Sequence, residues 1–348
     1  MRAMIVKEFR ELRRDHRTMA MLFALPVLLL VIFGYAANFT IDSISTQVVG
    51  PQAQQVAAVL PPLFDVQGAD AAASSDEART LVRDDIADVV LDTSTTPPTA
   101  YVDGSSLFVA QTASAALGRA GDQVRTEILF NPDLTTSWVM VPALVGLILT
   151  FVGTIITSIG LVRERQTGTL EQLAVMPLRP ADVIVGKIAP YFLLASLDML
   201  VVTLLGVWIF GVPFRGSPAL FALAAATFLF VVLGLGVLIS TASQTQGQAI
   251  QVALMTLLPQ ILLSGFIFPL QAMPPAISWI GYCLPLTWFV KVSQGIMLRG
   301  AGLDSLWPAF VVLTGMAVAV FSAAVLRFRR DLAPARRASA PDREQVPA

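Results

Sequence analysis

Six runs of apolar residues divide this chain: Met19 to Ala37, Val139 to Val162, Ala189 to Gly211, Ala219 to Ser240, Ala249 to Leu270 and Leu306 to Leu326. Each is about as long as the ~20 residues a helix needs to cross the ~30 Å hydrocarbon layer of a bilayer. Only the third holds a charged side chain, Asp198. The pattern predicts an α-helical integral membrane protein with six transmembrane helices. The first run follows a basic N-terminus, but it is long for a signal peptide and "FGYAANF" gives no small-residue cleavage pattern, so it reads as an anchor.

Between the first two runs, residues 38–138 change character and take the composition of a soluble domain. "SSDEARTLVRDD" predicts a short helix with Ser75 or Asp76 near its N-cap. "IADVVLD" and "TAYVDG" predict strands, and "SSLFVAQTASAALGRAG" predicts a helix ending at Gly121. In "VVGPQAQQVAAVLPPLFDVQGAD" the prolines 61 and 62 and scattered glycines leave room for one strand at most. The expectation is a small α/β domain inserted between the first and second transmembrane helices.

Composition agrees: 55% of the residues are hydrophobic, 14% are charged, and mean hydropathy is +0.71. The net charge of -1 is uninformative, because in a membrane chain the position of the charges matters. One cysteine, Cys283, and one histidine, His16, exclude an internal disulfide and a multi-histidine metal site. Lys and Arg gather in residues 1–17, in the segment with Arg163, Arg165, Arg179 and Lys187, and after Leu326; the short loops of the opposite side have only Arg215, Lys291 and Arg299. The positive-inside rule then puts both termini and residues 163–188 in the cytoplasm and 38–138 outside.

Residues 1–18 place Met4, Ile5, Phe9 and Leu12 at helical spacing, which reads as an interfacial helix or as an ordinary basic flank. The tail, 327–348, ends in a Pro-, Ala- and charge-rich stretch expected to be disordered. In residues 163–188, "RERQTGTLEQLAV" has helix grammar: Thr169 with Gln172 fits a capping box, Pro177 stops the helix, and Pro180 suits the start of the next. This stretch is either a short docking helix or a solvated linker. From Gly265 through Pro269, Pro274 and Pro275 the fifth run breaks up, and aromatics that include Trp279, Tyr282, Trp288 and Phe289 follow with no charge before Lys291. Backbone so interrupted at membrane depth must be buried in protein or face water, so residues 271–300 read as re-entrant exit helices or as an interfacial loop. Asp198, costly near mid-membrane, reads as a cation, proton or substrate contact or as a packed, protonated acid. Gly153 with Ser158, and Gly234 with Gly236, permit close helix packing.

Three stretches, "RERQTGTLEQLAVMPLRPADVIVGKIAPY", "GLGVLISTASQTQGQA" and "LPQILLSGFIFPLQAMPPAISWIGYCLPLTWFVKVSQGIMLRG", resemble, in order, the permease subunits of ABC-2 type transporters. The resemblance is to the drug or antibiotic exporter branch with a large extracytoplasmic loop after the first span. It departs from the family at Ala143, where a glycine usually follows the proline. It implies that residues 163–175 form a coupling helix seated in a separate cytoplasmic ATPase, through Glu164, Arg165, Thr167, Gly168, Thr169, Leu170 and Glu171. It also implies re-entrant exit helices at Pro269, Pro274, Pro275, Trp279 and Trp288; no family motif requires an acid at Asp198, which with Gln260, Ser264 and Gly265 is a candidate for the translocation path. The sequence holds no G-x-x-x-x-G-K-[ST] nucleotide cradle, so the chain is no ATPase; ATP and magnesium belong on the partner, and this chain needs no cofactor or metal of its own. Expected partners are that ATPase, a second permease copy or paralogue, membrane lipids and an amphipathic substrate moved outward; no nucleic acid is expected. The location implied is the inner membrane of a prokaryote. A sensor or scaffold binding a ligand with the outer domain is the alternative. A secondary transporter ranks last for want of internal repeats.

Overall fold

A computed structural model describes residues 41–167 and 180–332, with isolated positions 20, 24, 26, 27 and 29–31. Residues 1–18, most of the expected first span, Gly168 to Arg179 and everything after Leu332 lie outside the described residues. Within them an α/β unit precedes a group of long helices.

The α/β unit is built on β1 (Ile44–Val49), α1 (Ala53–Val59), β2 (Phe64–Asp70), α2 (Ser75–Arg83), β3 (Val89–Asp92), β4 (Thr99–Asp103), α3 (Leu107–Leu117) and β5 (Arg125–Leu129). The sheet order is β2-β1-β3-β4-β5; only the β3–β4 pair is antiparallel. Parallel neighbours need crossovers, which α1 and α3 supply for β1–β2 and β4–β5. One face packs Ile44, Val48, Val89, Leu91, Ala100 and Val102 against α1 and α3. The other packs Val49, Val90 and Tyr101 against Ala78 and Val82 of α2. With both faces covered, every residue of β3 and β4 is buried, which is why these strands read as continuous apolar runs.

The stretch 48–70 corrects the sequence reading. It closes β1, holds α1 and contains all of β2, where one strand at most was expected. Its glycines terminate and bend strands instead of excluding them. Gly50, at φ +93°, turns the chain out of β1 beside Thr93 and Ser94, and Gly68 lies where the β1–β2 register shifts by one residue. The prolines sit before β2, whose first amide, from Phe64, donates to the Pro61 carbonyl. Helix α2 is capped one residue earlier than expected, by Ser74, whose Oγ accepts from the Glu77 amide. Helix α3 ends at Leu117 and passes into 3-10 turns over Gly118–Gln123 that are broken at Gly121, φ +59°, the glycine at which the helix was expected to end.

The long helices are α4 (Thr136–Gln166), α5 (Pro180–Phe210), α6 (Pro218–Ala242), α7 (Gln246–Leu263) and α10 (Leu303–Leu332), with two short ones between, α8 (Pro275–Tyr282) and α9 (Pro285–Gln294). Among the described residues four stretches are long and apolar enough to span a bilayer: Thr136–Gln166, Ile188–Phe210, Pro218–Ala242 and Leu303–Arg327. The expected fifth span is shorter than the apolar run, because the chain leaves the helix at Leu263, passes Gly265 at φ +83° and re-forms only as a 3-10 turn, Leu270–Ala272. Helix α10 continues past Leu326 to Leu332, so residues 327–332 are helical and not part of an irregular tail. Close packing at Gly236 is required: a Cβ there would stand 2.8 Å from Thr157 of α4 and 3.1 Å from the Thr154 carbonyl.

Candidate functional site

Two places gather polar side chains: the end of α4 and the junction of the α/β unit with α9. Helix α4 does not stop where the apolar run stops. It carries Arg163, Glu164 and Arg165 in its last turn, and Thr167 is its C-cap. This corrects the placing of those residues in a separate loop. Thr167 donates from its amide to the Arg163 carbonyl, 3.0 Å, and its hydroxyl lies 3.1 Å from the carbonyls of Arg163 and Glu164. The Arg165 guanidinium donates to the carbonyls of Ser240 and Ser243, both at 3.2 Å. These are the carbonyls at the C-terminal end of α6, where a cation is favoured. Gln166 accepts from Gln246, 3.1 Å, across the α6–α7 connection. Two of the stretches quoted from the sequence are therefore tied together. Gly168, Thr169, Leu170 and Glu171 lie outside the described residues.

Of the translocation candidates, Gln260 and Ser264 are buried, and the Gln260 Oε1, Ser264 Oγ and Asp198 Oδ2 atoms make no hydrogen bond within the protein. Asp198 lies on α5 and Gln260 on α7; neither lines the cavity described below, whereas Ser264 and Gly265 do.

The short helices are set by prolines. Pro269 precedes the 3-10 turn, Pro274 is the N-cap of α8, and Pro275 is its first residue. Trp279 of α8 is exposed. Trp288 of α9 donates its indole N–H to the Tyr282 carbonyl, 2.7 Å, and Lys291 lies 5.7 Å over the Tyr282 ring and 5.9 Å over Trp288. On the inner face of α9 the fully buried Phe289 stacks on Phe228 of α6, centroids 4.4 Å apart. Ser293 and Gln294 donate to the carbonyls of Pro142, 3.2 Å, and Val139, 3.1 Å, in α4. Helix α9 is thus a packed part of the helical body.

After α9 comes a π-helical turn, Gly295–Arg299, closed by Gly300 in the left-handed conformation. It delivers Arg299 into the α/β unit. Its Nη1 donates to Asp85 Oδ1, 2.7 Å, and Asp103 Oδ2, 3.2 Å. Arg299 is 7% exposed and Asp103 1%. Asp103 is held in turn by the amide and hydroxyl of Ser105, both at 2.8 Å. Burial raises the Asp103 carboxyl above the usual range, against the pull of Arg299. Close by, Asp88 is raised to about 7, chiefly by burial and then by repulsion from Asp103 and Asp85. A cavity of about 130 Å3 opens here, with Asp88, Asp103, Arg299 and Lys291 among its walls. Sequence reasoning counted Arg299 and Lys291 only as charges on the outer side and Asp85 and Asp88 only as an acidic cluster. Nothing in the spacing links residue 299 to residues some two hundred positions earlier.

The raised carboxyl sets a pH dependence. Between about pH 4, where a free carboxyl ionises, and about pH 7 the folded chain holds a proton on Asp88 that the unfolded chain has lost, so stability falls as pH rises through that window. Relative to the native chain, Asp88→Asn should gain thermal stability at about pH 8 and lose that advantage below about pH 5, as read by melting temperature in detergent.

Four helices long and apolar enough to span a bilayer, beside an α/β unit and two short helices, describe a multi-pass membrane protein. The chain matches the ABC-2 family transporter protein family over residues 16–326 and belongs to it. Three relatives are from Escherichia coli (strain K12). YbhS, a probable multidrug ABC transporter permease, is 31% identical over 333 residues, 86% of this chain and 88% of its own. YbhR, of the same description, is 34% identical over 203 residues, 58% and 55% of the two chains. YhhJ, an inner membrane transport permease, is 36% identical over 213 residues, 60% and 56%. The alignments to YbhR and YhhJ thus span little more than half the length of those relatives. Like them the chain is a transport subunit and not itself an enzyme.

Proposed function

We propose that this chain is the membrane-spanning subunit of an exporter that moves an amphipathic drug-like, antibiotic or lipid-like compound outward, driven by ATP hydrolysis on a separate subunit that acts through residues 163–175. It has six spans, counting the run at 19–37 and α7 with the four longer helices. Both termini are cytoplasmic in a prokaryotic inner membrane, and the α/β unit is outside. Six spans make a small conduit, so two permease copies, identical or related, close it around a two-fold axis.

The observation that carries this reading is the continuity of α4. At 1.5 Å per residue its 31 residues reach about 46 Å. One end holds Glu164 and Arg165 and is tied by Arg165 and Gln166 to the α6–α7 connection. The other end follows the fully buried Asn131, whose side chain donates to the carbonyls of Gly104, 3.3 Å, and Thr135, 3.2 Å, and accepts from the Thr135 amide, 2.9 Å. A push at residues 168–171 would be carried along one rod to the outer unit and to α9. The multidrug names of YbhR and YbhS support a drug-like substrate.

The test is co-purification of the chain with a candidate ATPase, with hydrolysis measured in lipid. The native chain should bind and stimulate it, and Gly168→Pro and Glu171→Arg should lose both. A native chain that neither binds nor stimulates any ATPase would sink the reading.

A further inference from the structure

The cavity between the α/β unit and the short helices is lined by charged and apolar side chains together, among them Asp88, Asp103 and Arg299 with Phe108, Phe266 and Leu270. Its charges are three carboxylates, Asp85, Asp88 and Asp103, against two cations, Arg299 and Lys291. Arg299 is engaged by Asp85 and Asp103, and Lys291 lies over two aromatic rings. Asp88 is then the carboxylate with the least compensation, and once ionised it leaves the cavity one negative charge in excess. A second observation is independent of the acids. Ser264 is 2% exposed, lines the cavity, and its Oγ has no partner. A buried hydroxyl without a partner costs about 1–3 kcal/mol, so it marks a place where something polar belongs. No three His, Cys, Asp or Glu side chains among the described residues are grouped to hold a metal ion. The charge in excess therefore suits a cation that spreads its contacts and has an apolar body.

We propose that this cavity binds the ammonium headgroup of an amphipathic amine, with Asp88 as counter-charge, Ser264 Oγ as hydrogen-bond acceptor, and Phe108 and Phe266 against the apolar part. Its place in transport, as a site on the way out between the helical body and the outer unit, rests on the exporter reading above; the binding itself does not. One consequence follows from charge alone. A cation beside Asp88 favours its ionised form, so binding should tighten as pH rises through about 7, while an alkylamine keeps its proton up to about pH 10 as lysine does. The facing charges, Asp85, Asp103, Arg299 and Lys291, are held in pairs or over rings.

The experiment is calorimetric titration of the purified full chain in nanodiscs, without any ATPase, using 2-phenylethylamine and its neutral counterpart 2-phenylethanol. The amine should bind saturably at about pH 8 and more weakly at about pH 5.5, where Asp88 is protonated. The alcohol should not bind. Asp88→Asn should weaken the amine by at least about tenfold, Ser264→Ala by about threefold, and Asp76→Asn, an exposed acid outside the cavity, not at all. Uptake that does not saturate, equal binding of the alcohol, a folded Asp88→Asn variant that binds the amine as tightly as the native chain, or displacement of the amine by magnesium or calcium would each overturn the proposal. Failure here with intact ATPase stimulation would leave the exporter reading standing. Binding without any ATPase partner would do the reverse.

Discussion

Replacing Arg299 with alanine is expected to be among the most damaging single changes in the protein. The substitution strands Asp103, 1% exposed, without its cation, and Asp85 loses the same partner. Removing one member of a buried ion pair costs about 3–5 kcal/mol, because the charge left behind cannot be hydrated and must stay uncompensated or take up a proton. The loss would fall on a contact that joins the outer unit to the helical body, since Arg299 follows α9 and its acids lie in the α2–β3 turn and at the end of β4. Limited proteolysis of detergent-purified protein should show the region 41–130 released early and the helical body cut later. Arg299→Ala combined with Asp103→Asn should recover part of the loss, as an amide needs no counter-charge. Arg299→Lys should recover less, since both carboxylates are bonded by Nη1 at the end of the longer arginine side chain and a shorter lysine must bring its more strongly hydrated ammonium into the same buried site. A melting temperature unchanged in Arg299→Ala would show that the junction is held by other contacts.

The same junction shows where sequence reasoning stopped. Apolar runs marked the spans at 139–162, 189–211, 219–240 and 306–326 because a bilayer demands length and apolarity together, and four long helices lie there. Hydropathy marks the lipid boundary and not the helix end. Arg163, Glu164, Arg165 and Gln166 are good helix formers with no stop signal before Gly168, so α4 runs on through them. In the α/β unit, strands buried on both faces were legible as "VVLD" and "TAYVD". Strand β1 was missed because Gly50 and the residues after it were read as breakers of a strand they in fact terminate. The paired Arg299, Asp85 and Asp103, like the Arg165 contacts to Ser240 and Ser243, depend on elements far apart in the chain. Local spacing holds no trace of either.

Arg165 supports the second large effect. Its guanidinium closes the α4 end onto the exposed-end carbonyls of α6, with two charge-assisted hydrogen bonds worth about 1.5–3 kcal/mol each at most. If ATPase closure pushes at residues 168–171, the push must move α4 and the α6–α7 connection as one body. Without the Arg165 tie it would be absorbed by bending the last turn. Arg165→Ala is therefore expected to leave the protein folded and able to bind its ATPase, because the docking stretch beyond Thr167 is untouched. ATP-driven uptake of a fluorescent amphiphile into inverted vesicles, which reads outward export, should nevertheless fall by about tenfold or more, the equivalent of about 1.4 kcal/mol of lost coupling. ATP hydrolysis should persist and become insensitive to substrate. Arg165→Lys, which keeps a donor at the carbonyl end of α6, should retain intermediate export. The outcome that would refute this role is a parallel loss of ATPase binding and export in Arg165→Ala, since that would place Arg165 in the docking surface itself and not in the linkage behind it.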